Sequence, residues 1–199
     1  MQKYILYIMI CLLPLLYGGR SVRNSEIYGN IPDFTVEKNN QSLYMLNGVY
    51  YFNQEPFSGY ITSHYANGVI EEKSGYRNGK QEGISLTWFE NGVMQSKRYY
   101  VKGEKNDTHY GWYEDGSKRF EYNFNKGINS GIHTEWYQNG SIAKKTTYSN
   151  GSEESVQAWR DNGKLYINYV VKDGVIYGMN NSHLCYTLEN EKGVYATKK

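Results

Sequence analysis

Four tryptophans recur at nearly constant spacing. Trp88, Trp112, Trp136 and Trp159 stand 24, 24 and 23 residues apart. An indole can stack on a sugar ring, hold a cation over its face or bury against an apolar partner. The first three are followed at once by a second aromatic, Phe89, Tyr113 and Tyr137, and Trp159 by Arg160. A third series runs Tyr76, Tyr100, Phe124 and Tyr148. His109 and His133 occupy one repeat position, shared with Ile61 and Ser85. Two strands separate such a pair, about 9.5 Å, which is too far for one ion bound at ~2 Å by each. They read instead as solvated strand histidines, and His64 and His183 show no evident partner. Cys185 has no partner once the first 21 residues are set aside. The carboxylates Glu71, Glu72, Glu90 and Glu114 are scattered over strand and turn positions. There is no phosphate-cradling glycine loop and no His-Glu-x-x-His pair. The expectation is a non-enzymatic protein without a metal or cofactor.

The spacing points to the elements that hold these residues. One series of turns falls at Asn67–Gly68, Asn91–Gly92, Asp115–Gly116, Asn139–Gly140 and Asn162–Gly163. A second falls at Asn78–Gly79, Lys102–Gly103, Lys126–Gly127, Asn150–Gly151 and Asp173–Gly174. An internal period of this length marks a repeat architecture. Asn-Gly between β-prone runs predicts a two-residue type I′ turn, and the same reading is extended to both series. The runs between turns are of strand length. The fold expected is all-β: an elongated, twisted, single-layer antiparallel meander of about five 24-residue hairpins.

Period-2 alternation puts Ile84, Leu86 and Trp88 on one face and Ser85, Thr87 and Phe89 on the other. Stacked repeats then turn equivalent positions into columns. Such columns are either the fold's own glue, at about 0.2–1 kcal/mol per cross-strand pair, or a binding surface. On the second reading the candidate binding residues are Trp88, Trp112, Trp136, Trp159, Tyr113 and Tyr137. One layer cannot bury both faces, so one is wet, or is covered by curling, by the tail or by a partner.

The pattern Trp88-Phe89-Glu90-Asn91-Gly92, Trp112-Tyr113-Glu114-Asp115-Gly116, Trp136-Tyr137-Gln138-Asn139-Gly140, with Tyr76, Tyr100, Phe124 or Tyr148 two residues before the second turn, resembles the MORN-repeat-variant family. Bacterial members of that family are often labelled YwqK-type antitoxins. The likeness runs from about Gly48 to Gly174. It implies a single-layer sheet and a protein-interaction or envelope-associated role, and it carries over no catalytic residue.

In chain order, residues 1–21 read as a secretory signal peptide: Lys3, then the uncharged run Tyr4–Tyr17, then Gly18, Gly19 and Ser21. The location expected is therefore extracytoplasmic. Removing them deletes Lys3 and Arg20 and takes the formal charge from +2 to 0. A neutral chain argues against nucleic acid and against strong binding to an anionic membrane surface. Residues 22–42 read as a flexible spacer. The repeat domain spans 43–178, opening on a capping hairpin with its turn at Asn47–Gly48, and Pro56 belongs on an edge strand. The repeats lie near 59–82, 83–106, 107–130, 131–154 and 155–177. Residues 179–199 read as a capping tail. The partner expected is a protein, with a cell-wall glycan and an antitoxin-like target as the alternatives.

Overall fold

The computed structural model of the chain describes residues 30–180. The signal peptide expected over 1–21, Cys185, His183 and nearly all of the expected tail lie outside them. In chain order the strands are β1 (Thr35–Glu37), β2 (Leu43–Leu46), β3 (Val49–Phe52), β4 (Glu55–Pro56), β5 (Gly59–His64), β6 (Ile70–Arg77), β7 (Lys80–Trp88), β8 (Met94–Val101) and β9 (Glu104–Lys105). There follow β10 (Asp107–Trp112), β11 (Lys118–Asn125), β12 (Ile128–Asn129), β13 (Gly131–Trp136), β14 (Ile142–Ser149), β15 (Ser152–Trp159), β16 (Leu165–Lys172) and β17 (Val175–Met179). Among the described residues no segment is helical. The hairpins β5–β6, β7–β8, β10–β11, β13–β14 and β15–β16 follow one another in one long sheet, with β1 at one edge and β17 at the other. The expected all-β repeat meander is what the chain forms.

The two turn series are chemically different, which corrects the single type expected. In the second series both residues have positive φ, as in Asn78 (49°) and Gly79 (76°) or Lys102 (52°) and Gly103 (89°). These are two-residue type I′ turns. In the first series only the glycine does, as at Gly68 (83°) and Gly92 (81°). There Gly68 N–H donates to the Tyr65 carbonyl and Tyr65 N–H to the Val69 carbonyl. That is a three-residue loop, a type I turn closed by a glycine bulge. The Asn or Asp caps the loop with its side chain. The Asn67 Oδ1 accepts the Val69 N–H at 3.0 Å, and Asn91, Asp115, Asn139 and Asn162 repeat the bond.

Both turn edges are tied from repeat to repeat. At the first edge the Asn67 amide donates to the Glu90 carbonyl and the Asn91 amide to the Glu114 carbonyl, each at 3.2 Å. Asp115 cannot donate, and at this step Gln138 of the next loop donates to it instead, at 2.8 Å. At the second edge Gly79, Gly103, Gly127 and Gly151 N–H groups each donate to the carbonyl 22 residues earlier. Each hairpin also carries a one-residue register shift just before His64 or its tryptophan. A bulge there increases local twist.

One face is inner. Ile61, Ser85, His109, His133 and Val156 form its central column, with exposures of 1, 7, 2, 8 and 2%. Over the first repeat this face is covered by a second layer. The strands β2, β3 and β4 do not join the long sheet; they form a three-stranded sheet of their own. Its Leu43, and Phe57 just after β4, pack with Val36, Ile61 and Tyr76 into the main apolar core, with Tyr50 and Phe52 against it. The leading hairpin is thus a cap, and Pro56 lies on its edge strand as expected. Residues from Phe34 onward correct the spacer reading: β1 pairs parallel to β5, placing Val36 beside Ile61. A spacer read from polar composition missed the two apolar side chains, Phe34 and Val36, that the cap needs.

Candidate functional site

The four tryptophans share the outer face. The register pairs Trp88 with Met94, Trp112 with Lys118, Trp136 with Ile142 and Trp159 with Leu165. Alternation along β7 carries Ile84 and Leu86 to the same side, so the faces fall as the period predicted. Each indole is half-buried. No acceptor among the described residues takes any of the four indole N–H groups, and no side-chain N or O there is buried without a partner. The N–H groups therefore open to the surface. Tyr110 stacks on Trp112 at 6.1 Å, and the Lys118 ammonium lies 5.4 Å from the Trp136 ring centre. Lys73, Lys97 and Lys145 line the same face, opposite Thr62, Leu86 and Thr134. The stripe is amphipathic: flat rings interleaved with ammonium groups on long stems.

Tyr113 and Tyr137 serve the fold first. The Tyr65, Tyr113 and Tyr137 hydroxyls donate to the carbonyls of Trp88, Trp136 and Trp159 in the next repeat, at 2.8, 2.8 and 2.9 Å. Phe89 stands at the same position without a hydroxyl and shows that the ring alone suffices there. Tyr137→Phe is accordingly expected to fold and to lose about 0.5–1.5 kcal/mol, the net value of one hydrogen bond, in urea unfolding.

The structure does bring Tyr113, Trp136 and Tyr137 together. With Arg119, Tyr122 and Glu135 they line a cavity of about 260 Å3 near the first turn edge. Burial, then the charge of the neighbouring Glu135, raises the Tyr122 phenol far above its usual value. It is neutral across the physiological range and offers a donor or an acceptor. The Arg119 guanidinium lies 5.9 Å from the Tyr113 ring centre. The cavity thus offers aromatic walls with one cation and one carboxylate. Arg119 is the extra residue of the β11 bulge, and period-2 reasoning cannot aim a bulged side chain.

The histidines are not solvated strand residues. His109 and His133 are buried in the inner face, and Phe124 fills the gap between them at 4.6 and 5.4 Å. The ladder continues to Tyr100 on one side and Tyr148 on the other, at 5.4 and 4.6 Å. Each Nε2 lies 2.7–2.8 Å from a backbone carbonyl, Tyr99 for His109 and Asn123 for His133, so Nε2 carries the proton. Sharing a column with Ile61 was the signal for burial. His64, for which the sequence offered no partner, sits 3.2 Å from the Glu37 carboxylate.

Burial, more than the neighbouring Arg98 and Lys105, holds the His109 imidazole below its ordinary 6.5. Burial does the same at His133, where Lys105 and Lys144 assist and Glu135 opposes. The unfolded chain takes these protons near 6.5 and the folded chain resists them. Their stabilisation is complete above that pH and declines as pH falls below it. Melting temperature is expected to drop between pH 7 and 5. The drop should be smaller in His109→Ile/His133→Ile, whose carbonyl partners keep the Asn106 and Ser130 N–H groups.

Among the described residues no three His, Cys, Asp or Glu side chains gather so as to hold a metal ion. No curated protein matches the chain. The family model for the MORN repeat variant matches residues 81–102 and 130–150. Those segments fall on the β7–β8 hairpin and the β13–β14 hairpin, so two of the five hairpins of the array match the MORN repeat variant.

Proposed function

We propose that this chain is a non-enzymatic scaffold of the cell envelope or its exterior, whose outer stripe docks another protein. The observation that carries the reading is the column Trp88, Trp112, Trp136 and Trp159, half-buried, with every indole N–H open. Rings of this kind give contact area at low entropy cost, and each open N–H adds a directed hydrogen bond. The interleaved Lys73, Lys97 and Lys145 favour a partner that carries acidic side chains around an apolar patch. Neutralising a toxin, the activity that the family label suggests, would be one form of this docking. The extracytoplasmic location belongs to the proposal and rests on residues 1–21.

One observation favours a second reading. The cavity at Tyr113, Trp136 and Tyr137 has ring-sized volume, aromatic walls, and Arg119 and Glu135 to meet hydroxyl groups. That chemistry suits one sugar of a cell-wall glycan.

Single Trp88→Ala, Trp112→Ala and Trp136→Ala variants separate these readings. A protein-docking stripe predicts an unchanged β spectrum and graded loss of partner in all three. Loss confined to Trp136→Ala, with release of a glycan, would support the sugar site. Unfolding of each variant would show that the column only holds the fold.

A further inference from the structure

The small capping sheet ends on an open edge. β2 pairs with β3 on one side and, among the described residues, with nothing on the other. Its hairpin closes on Asn47–Gly48, at φ 50° and 76°. In a two-residue hairpin the flanking pair, Leu46 with Val49, exchanges hydrogen bonds and the next pair, Met45 with Tyr50, does not. Tyr50 obeys the rule: its N–H turns away from β2 and donates to the Gly79 carbonyl at 2.9 Å. Met45 therefore turns its own N–H and C=O to the open edge. The Tyr44, Met45 and Leu46 side chains are 43, 56 and 56% exposed. Beside this edge lies a cavity of about 550 Å3, lined by Met45, Tyr50 and Tyr76, by Lys80 at the start of β7, by the turn residues Lys102 and Gly103, and by Glu104. The cap covers the inner face of the first repeat and stops where the second begins.

We propose that the open edge of β2 takes an extended segment of another protein as a further strand of the small sheet, laid over the inner face of the second repeat. The chain already uses this mode on itself. β3 sets Tyr50 edge-on against Tyr76, with ring centres 5.0 Å apart, and ties its backbone to the turn at Gly79. The next strand position continues the same interface one repeat further along. Protein sheets usually guard an apolar edge with lysine, proline or a bulge. Tyr44-Met45-Leu46 has none of these. Main-chain bonds from an added strand give affinity, and alternate side chains give selectivity. Leu43 and Met45 face inward, so the added strand must send an apolar or aromatic side chain into the cavity beside Met45. An acidic neighbour on that strand would meet Lys80 and Lys102. This inference concerns the face opposite the tryptophan stripe and shares with the scaffold reading only that the ligand is a protein.

The probe is a synthetic peptide with the sequence of residues 49–57, VYYFNQEPF, which is the natural antiparallel partner of β2. Added to the full chain, it should shift the amide resonances of residues 44–46 and 102–104. Met45→Pro removes the one N–H that the added strand needs and no hydrogen bond of the cap itself. It should fold and bind at least tenfold more weakly. Met45→Lys keeps the N–H and adds a charge facing Lys80 and Lys102; it too should bind at least tenfold more weakly, and it serves if the proline variant misfolds. Absence of shifts at residues 44–46, or equal binding by a folded variant, overturns the proposal. A native partner that crosslinks only to the tryptophan face overturns it as well and leaves the scaffold reading standing.

Discussion

Gly79→Ala should cost about 2–5 kcal/mol, whereas Gly140→Ala, in the same array, should cost about 1–2 kcal/mol. Both glycines sit at turns with positive φ, 76° and 81°. A β-carbon in that conformation meets its own carbonyl, and this penalty is common to the two. They differ in what lies outside. A β-carbon at Gly140 meets nothing within 4 Å. One at Gly79 would lie 2.6 Å from the Tyr50 carbonyl and still closer to a Val49 methyl. The Tyr50 carbonyl is backbone, so the cap must shift as a whole, and it is held there by Tyr50 N–H to Gly79 O. Urea unfolding of the two variants checks the difference. Equal costs would mean that the cap is not seated on that turn.

Phe57→Ala should be the most damaging single truncation, at about 3–5 kcal/mol. Phe57 is 2% exposed and touches three rings, Phe34, Phe52 and Tyr76, at 6.0–6.2 Å between centres. Its backbone also receives Gly79 N–H and donates to Tyr50. Removing the ring leaves a cavity where, among the described residues, the two sheets enclose a core. Repeat arrays are stabilised by each unit and its nearest neighbours, so damage at one end spreads unevenly. Hydrogen exchange should accelerate in β1 to β6 well before β13 to β16. Uniform acceleration across all five hairpins would show a single cooperative unit instead.

The repeat was legible because ten turn glycines set its frame, and the column of tryptophans followed from counting by two. The difference between the turn series was also written in the chain, though less plainly. The second series accepts Lys102 and Lys126 at its first position, while the first series holds only Asn or Asp. A side-chain oxygen that caps the N–H two residues on explains that restriction. Burial of His109 and His133 was not readable from alternation, which sorts residues to faces and is silent on which face is covered. That is settled by contacts far apart in sequence, Val36 beside Ile61 and Tyr50 against Tyr76. The cavity at Trp136 escaped for a related reason. It depends on a bulge at Arg119, and a bulge breaks the period that the reading relied on.

The measurement that tests the central claim most directly is crosslinking of the full chain in its native envelope, read by mass spectrometry. It should be run beside a variant with Trp88, Trp112 and Trp136 changed to Ala. Docking on the outer stripe predicts one recurrent protein, crosslinked through Lys73, Lys97 or Lys145, and its loss in a variant that keeps its β spectrum. The same protein recovered equally from that folded variant would contradict the claim.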